Sequence, residues 1–309
     1  MKTLIGDIGG TQARFALAEG GAFGAALAQR VAGHATPLAA LRAALAELGP
    51  AQAAILAIAG PIQGQHARLT NAAWEFDAPA LARALGLASL RLVNDLEAMA
   101  WALPALTPAD IETWQEGAPT QGAPQAIIAP GTGLGVAGFI PGHGAVATEA
   151  GHAGFAPRDA TEAALLAWLQ ARQGAVCAED FLSGIGLVTL HDGLAELRGA
   201  ALPPRDGAEI AAAAEAGCQV AREALALFWR GLGGFCGDVA LMLGARGGVY
   251  LAGGVAGALG AAAPRPAFLE RFQDRPRMRA YLARVPVRRI IHPQPALLGL
   301  AAMPPPASP

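Results

Sequence analysis

Lysine is almost missing from this chain. Lys2 is the only one among 22 basic residues, the rest being arginine, and that scarcity removes several ways of handling a phosphate at once. A Walker loop ends in Gly-Lys-Ser/Thr, protein kinases clamp the nucleotide with a strand lysine, and Schiff-base enzymes need a lysine amine. None of these can be assembled here, so any nucleotide must be held by backbone N–H groups, hydroxyls and a metal ion. Cysteine is equally sparse: Cys177, Cys218 and Cys236 stand far apart with no CxxC pair, which excludes a disulfide framework and a structural zinc site. We expect all three to be small buried hydrophobes. No apolar run approaches a bilayer span without glycine or charge, the greasiest, from Val249, being interrupted repeatedly by glycine. The opening MKTLIGDIGG has no extended apolar leader, so a cytoplasmic protein with no membrane segment is expected. The formal net charge of −2 and the lack of basic clusters interleaved with aromatics argue against nucleic acid as a partner. The basic segment from 271 to 289 is the exception, and we expect it to be a solvated helix face.

What the chain has in abundance is glycine, 40 of 309 residues, and two glycine-rich turns are the most informative feature. They lie in LIGDIGGTQARFALA at 4 to 18 and AIIAPGTGLGVAGFI at 126 to 140. Each sits between two apolar runs and reads as a β-hairpin, with several N–H groups free to point at one anion. In the first, Asp7 offers a carboxylate for Mg²⁺ next to those donors. In the second, Thr132 adds a hydroxyl between Gly131 and Gly133.

The remaining pattern predicts a strand over 3 to 8, a returning strand over 13 to 18, and a helix from Pro37 to Leu48. A buried strand in AAILAIAG follows, then a polar hairpin reaching TNAAWEF and a helix from Ala78 to Leu85. A strand ends near Asn94, and a helix from Glu97 is stopped at Pro104. The polar TPADIETWQEGAPTQGAPQ reads as the crossing into a second domain. Beyond the second hairpin and a third through Gly142 and His143, helices are predicted over 160 to 173, 178 to 183, 185 to 198, 207 to 230 and 232 to 243. A short strand in GGVYLAGGV, a helix in ALLGLAA and a disordered PPPASP tail close the chain. The repetition of hairpin, helix and strand implies two related α/β domains facing a cleft: 1–105 plus 289–309 as a small domain, and 106–288 as a large one.

Asn94 and Asp95 follow a strand and precede a helix, where α/β proteins place functional side chains, although either one also suits a plain helix cap. Glu149 and His152 lie three apart in the glycine-flanked TEAGHAGFAP, able to point into a cleft. Glu179, before FLSGIG, is either one more such carboxylate or a helix N-terminal charge. Carboxylates, an amide and an imidazole suit a polyol, whose hydroxyls each donate and accept hydrogen bonds.

Seven segments in order, GDIGGTQAR, TNAAWEF, NDLEAMA, GTGLGVA, EAGHAGFAP, LSGIGL and GGVYLAGGV, resemble the bacterial ATP-dependent glucokinases of the non-ROK branch over nearly the whole chain. The resemblance implies two ribonuclease H-like, actin-like ATPase domains flanking a nucleotide and sugar cleft. It also implies transfer of the γ-phosphate of ATP to the 6-hydroxyl of glucose, with ATP and Mg²⁺ as cofactors, and a glycolytic homodimer. By the same resemblance Gly6, Asp7, Ile8, Gly9, Gly10 and Thr11 form a first phosphate loop with Asp7 at the metal. Gly131, Thr132 and Gly133 form a second, and Gly253 and Gly254 admit the adenosine. Asn94, Asp95, Glu149, His152 and Glu179 bind glucose, and Asp95 is the catalytic base. The chain reads FAPRDATEAALLAWL where ROK relatives carry a cysteine-rich zinc motif, and Ile185 departs from the family's usual residue in LSGIG.

Three alternatives compete. One is a kinase for another hexose, such as mannose, fructose or an N-acetylated amino sugar. A sugar-responsive repressor would need a helix-turn-helix ahead of the first strand, where this chain has no room. A dinucleotide oxidoreductase would need GTGLGVAG to open a helix.

Overall fold

The computed structural model describes residues 1–70 and 72–306. Asn71 of the TNAAWEF segment and the last three residues of the PPPASP tail lie outside the described residues. The chain divides into two units, Met1–Asp110 with His143–Ala147 and His292–Pro309, and Ile111–Gly142 with Thr148–Ile291.

In the first unit the strand Thr3–Ile8 is central. Gln12–Glu19 returns antiparallel on one side, while Ala53–Ile58 and then Ser89–Asn94 add in parallel on the other. Alternation explains why AAILAI is wholly apolar. Ala54, Leu56 and Ile58 join Leu4 and Ile8 in a core on one face, and Ile55 and Ala57 join Ile5 in a core on the other. A parallel strand covered on both faces has no solvent side on which a polar residue would be stable. The helix Pro37–Leu48, capped by Thr36 Oγ1 accepting from Ala39 N, contributes to the first core. The C-terminal helix Pro295–Ala302 contributes Leu297 and Leu300 to the second, beside Ala98. It approaches so closely that a Cβ at Gly299 would lie 1.7 Å from Ala98 O. Gly299→Val should therefore destabilise the protein by at least ~2 kcal/mol, read as a lowered thermal midpoint.

The second unit repeats the plan. Gln125–Pro130 and Leu134–Ile140 form an antiparallel hairpin, Gly248–Leu251 pairs in parallel with the first of them, and Val287–Ile290 continues in parallel. The strand Ile111–Gln115 then adds antiparallel to Val287–Ile290. That strand was not predicted. It hides in the polar stretch because it is a short edge strand whose residues, Trp114 apart, are only partly buried, and it moves the division to Asp110/Ile111 and Ile291/His292 from the expected 105/106 and 288/289.

Two helix assignments also change. The predicted helix over 207 to 230 is broken after Glu215, near Gly217 with φ +99°, and one helix then runs from Gln219 to Leu243. Its glycines do not end it, because they are packing positions: a Cβ at Gly233 would lie 2.3 Å from Phe268 O, and one at Gly237 2.4 Å from Phe272 O. This 25-residue helix is long and apolar enough to cross a membrane by length and composition, but it carries Arg222, Glu223, Arg230, Asp238 and four glycines, in keeping with the expectation that no long apolar run is free of glycine or charge, and 56% of its most apolar window is buried within the protein.

The basic segment is a solvated face only in part: Arg277, Arg279 and Arg284 are exposed, and the others are not. Arg271 is buried and pairs with Glu162 and Asp159, Arg275 pairs with Asp238, and Arg289 Nε donates to Glu112 at 2.7 Å. These arginines tie helices and strands together through fork-shaped contacts that only a guanidinium makes. Of the cysteines only Cys236 is fully buried, whereas Cys177 and Cys218 are partly exposed.

Candidate active site

In the first unit the candidate residues gather at the C-terminal ends of the parallel strands, where Ile8, Ile58 and Asn94 stand in register. The turn after Thr3–Ile8 is closed by Gly9 N donating to Gln12 O at 3.0 Å, and Thr11 O accepts from Val31 N at 2.9 Å. Not every residue of the motif faces outward. Ile8 is core, and Gly6 is a packing glycine whose Cβ would lie 2.9 Å from both Leu56 and Phe15, so these two contribute at most backbone. Asp7 lies across the hairpin from Arg14, 3.8 Å away. Burial raises its pKa, and Arg14 offsets this only in part. A carboxylate so poorly compensated suits a cation.

Asn94 is the cap of the helix Asp95–Ala102, its Oδ1 accepting from Leu96 N at 2.9 Å. Asp95 Oδ1 accepts from the same N–H at 2.9 Å. Its pKa is pushed up to about 6, first by burial and then, among smaller effects, by the nearby Asp7 charge, against the lowering effect of its hydrogen bonds. A helix cap and a perturbed carboxyl thus coexist: the helix start orients Asp95 while the charge of Asp7 perturbs it.

In the second unit four segments key onto the second glycine turn. Gly131 N donates to Gly133 O at 2.8 Å and Gly131 O accepts from Gly184 N at 2.7 Å. Glu179 Oε2 accepts from Leu134 N at 2.6 Å, and a Cβ at Gly133 would lie 2.4 Å from that oxygen. Glu179 therefore braces the turn as well as starting its helix. Gly151, between Glu149 and His152, presses on the same turn: a Cβ there would lie 1.9 Å from Leu134 O. Gly253, at φ +84°, lies against Pro130 O, while nothing lies within 4 Å of a Cβ at Gly131 or Gly254. Those open faces, with the exposed Thr132, can admit a ligand to the backbone.

Glu149 and His152 flank the short 3-10 turn Ala150–His152 with side chains 90% and 60% exposed, Oε2 and Nε2 being 3.9 Å apart. The second turn connects two antiparallel strands, Ile128 opposite Val136, which removes the dinucleotide reading. Among the described residues no three His, Cys, Asp or Glu side chains cluster as metal ligands. A cation at Asp7 would complete its shell with phosphate oxygens and water, as Mg²⁺ commonly does. Sequence reasoning missed Arg14 beside Asp7, and Cys177 and Asp180 beside His152. No local spacing links residue 152 to 177; the bridge between Gly154 and Cys177 and the hydrogen bond from Ala178 N to Ala153 O bring them together.

The fold is shared with sugar kinases. A glucokinase from an Antarctic psychrotroph superposes with a TM-score of 0.90 at 30% identity, over 97% of this chain and 98% of its own. A ROK family glucokinase from Streptomyces griseus, in complex with glucose and AMPPNP, shares the fold at a TM-score of 0.60 and 20% identity, over 97% and 98% of the two chains. The chain belongs to the Glucokinase family, whose family model matches residues 4–305. It is 42% identical to the glucokinase of Chromobacterium violaceum over 97% of this chain and 88% of that protein, and 41% identical to that of Chromohalobacter salexigens over 96% and 95%.

Proposed function

We propose that this chain is a glucokinase, transferring the γ-phosphate of ATP to the 6-hydroxyl of glucose to give glucose 6-phosphate and ADP. The observation that carries the reading is Asp95, a half-buried carboxyl whose pKa is raised to about 6 and which feels the charge of Asp7 beside the first glycine turn. Membership of the Glucokinase family supports it. The two mixed sheets, each a hairpin continued by parallel strands, support reading the units as ribonuclease H-like domains. The resemblance behind this reading also implies a cytoplasmic homodimer acting in glycolysis.

Phosphoryl transfer passes through a loose transition state, so alignment and charge neutralisation do most of the work. In this reading Asp95 accepts the proton of the 6-hydroxyl as that oxygen attacks. Asn94, Glu149, His152 and Glu179 hydrogen-bond the remaining hydroxyls. Backbone N–H groups at Gly10, Thr11, Thr132 and Gly133 hold the phosphates, with Gly9 closing the first turn through Gln12 O; Gly254 leaves room for the adenosine, and Gly253, packed against Pro130 O, sets the backbone bend before it. Asp7 holds Mg²⁺, which when bound neutralises phosphate charge.

A base must be ionised to act, so kcat/KM is expected to fall about tenfold per pH unit below pH 6. A pH–rate profile flat from pH 8 to pH 5 would remove Asp95 as the base. Sugar choice is tested by side-by-side kcat/KM values with ATP. Glucose is expected to exceed mannose, fructose and N-acetylglucosamine, and preference for one of these would select the alternative hexose kinase.

A further inference from the structure

We propose that a cavity beside Arg246 and Arg284 binds the phosphate group of a small anion, at a site separate from the glycine turns. Two adjoining hollows of about 460 and 350 Å³ share Thr120, Arg246 and Tyr281, and Arg284 lines the smaller one. That is the size of a small-molecule site. They open where the strands Gln125–Pro130 and Gly248–Leu251 begin, whereas the second glycine turn follows Pro130 at the other end. A strand of six residues spans roughly 20 Å, so a ligand here leaves that turn free.

Uncompensated donors gather there. No carboxylate lines either hollow. Elsewhere in this unit Arg158, Arg271, Arg275 and Arg289 each pair with a carboxylate. Arg246 and Arg284 are exposed and, among the described residues, have neither an ion pair nor a side-chain hydrogen bond, and Glu116, the acid nearest in sequence to the lining, pairs with neither. The hydroxyls of Thr120 and Tyr281 also lack a partner there. Gln121 N and Gly122 N stand in the middle of a turn closed by Ala123 N donating to Thr120 O at 3.2 Å, and neither has an acceptor among the described residues. The backbone fixes both arginines against this turn: Ala118 N donates to Arg284 O at 2.7 Å and Thr120 N to Arg246 O at 3.0 Å. Gly122, at φ +72°, has nothing within 4 Å of a Cβ, which leaves the turn open on that side. Arg246 follows the C-terminal end of the helix Gln219–Leu243, whose carbonyls favour a cation nearby, yet its guanidinium bonds to none of them. Two guanidinium forks and two turn N–H groups suit the several oxygens of a phosphate dianion.

The test is calorimetric titration of the full chain at pH 8 and low salt with inorganic phosphate and, separately, glucose 6-phosphate, repeated in Arg246→Ala and Arg284→Ala. Both side chains are exposed, so neither substitution empties the core. In each variant one binding component of these ligands is expected to weaken about five- to tenfold, with kcat and the KM values for glucose and ATP within about twofold of the wild type. If glucose 6-phosphate binds that component more tightly than phosphate does, the occupant is a phosphorylated sugar; equal binding makes it the free anion, and either supports the site. No binding to the wild type, or wild-type affinity in either variant, overturns the proposal. So does a weakening matched by an equal rise in the ATP KM, which assigns the anion to the nucleotide site. The binding arm decides this whether or not the chain phosphorylates glucose.

Discussion

Asp95→Asn is expected to lower kcat for glucose phosphorylation by roughly 10²- to 10⁴-fold while leaving glucose affinity within about threefold. The amide keeps the size of the carboxyl and an oxygen able to accept from Leu96 N, which Asp95 Oδ1 does at 2.9 Å. It cannot take a proton from the attacking hydroxyl. Steady-state kinetics with calorimetric titration of glucose separates the two effects. Stability should move the other way. A carboxyl whose folded pKa is raised to about 6 binds protons more tightly when folded, so its ionisation weakens the fold as pH rises between its unfolded value and about 6. At pH 8 that penalty is fully present, and replacing Asp95 by a neutral amide should leave the protein at least as stable as the wild type. A variant crippled in turnover but not in thermal midpoint is the signature of a catalytic group rather than a helix cap.

Glu179→Ala should lower kcat/KM by roughly 10²-fold or more, because two losses coincide. The sugar loses a hydrogen-bond partner, and the buried Leu134 N–H loses the carboxylate that accepts it at 2.6 Å. An unsatisfied buried N–H costs about 1–3 kcal/mol, and the 131–133 turn is the part free to move in response. Glu179→Gln keeps an acceptor for Leu134 N and should fall between the two. If Glu179→Ala has the kinetics of the wild type, neither the brace nor the sugar contact is needed.

The sequence made the hairpins legible because the glycine turns separate runs that alternate cleanly between two cores, as Leu4, Ile5 and Ile8 do. The helices Pro37–Leu48, Ala78–Leu85 and Ala160–Gln173 were legible to the residue, since proline or an acid at the start and glycine just after the end mark them. Three-dimensional contacts set the remainder. Gly231 and Gly233 look like helix breakers until Leu182 and Phe268 are seen against them. Arg271, Arg275 and Arg289 look like part of a wet surface until Glu162, Asp238 and Glu112, distant in sequence, appear as partners. At the site, Asp7 and Asp95 could be named from the residues around them. That the charge of Asp7 perturbs Asp95, and that Glu179 braces the turn through Leu134 N, 45 residues earlier, follows only from the folded chain.

The most direct measurement is ³¹P NMR of purified protein with ATP, Mg²⁺ and glucose at pH 8. The account predicts one new phosphomonoester, glucose 6-phosphate, growing in step with ADP, and none on the same timescale with Asp95→Asn. Phosphate appearing on another sugar oxygen, or inorganic phosphate alone, would contradict it.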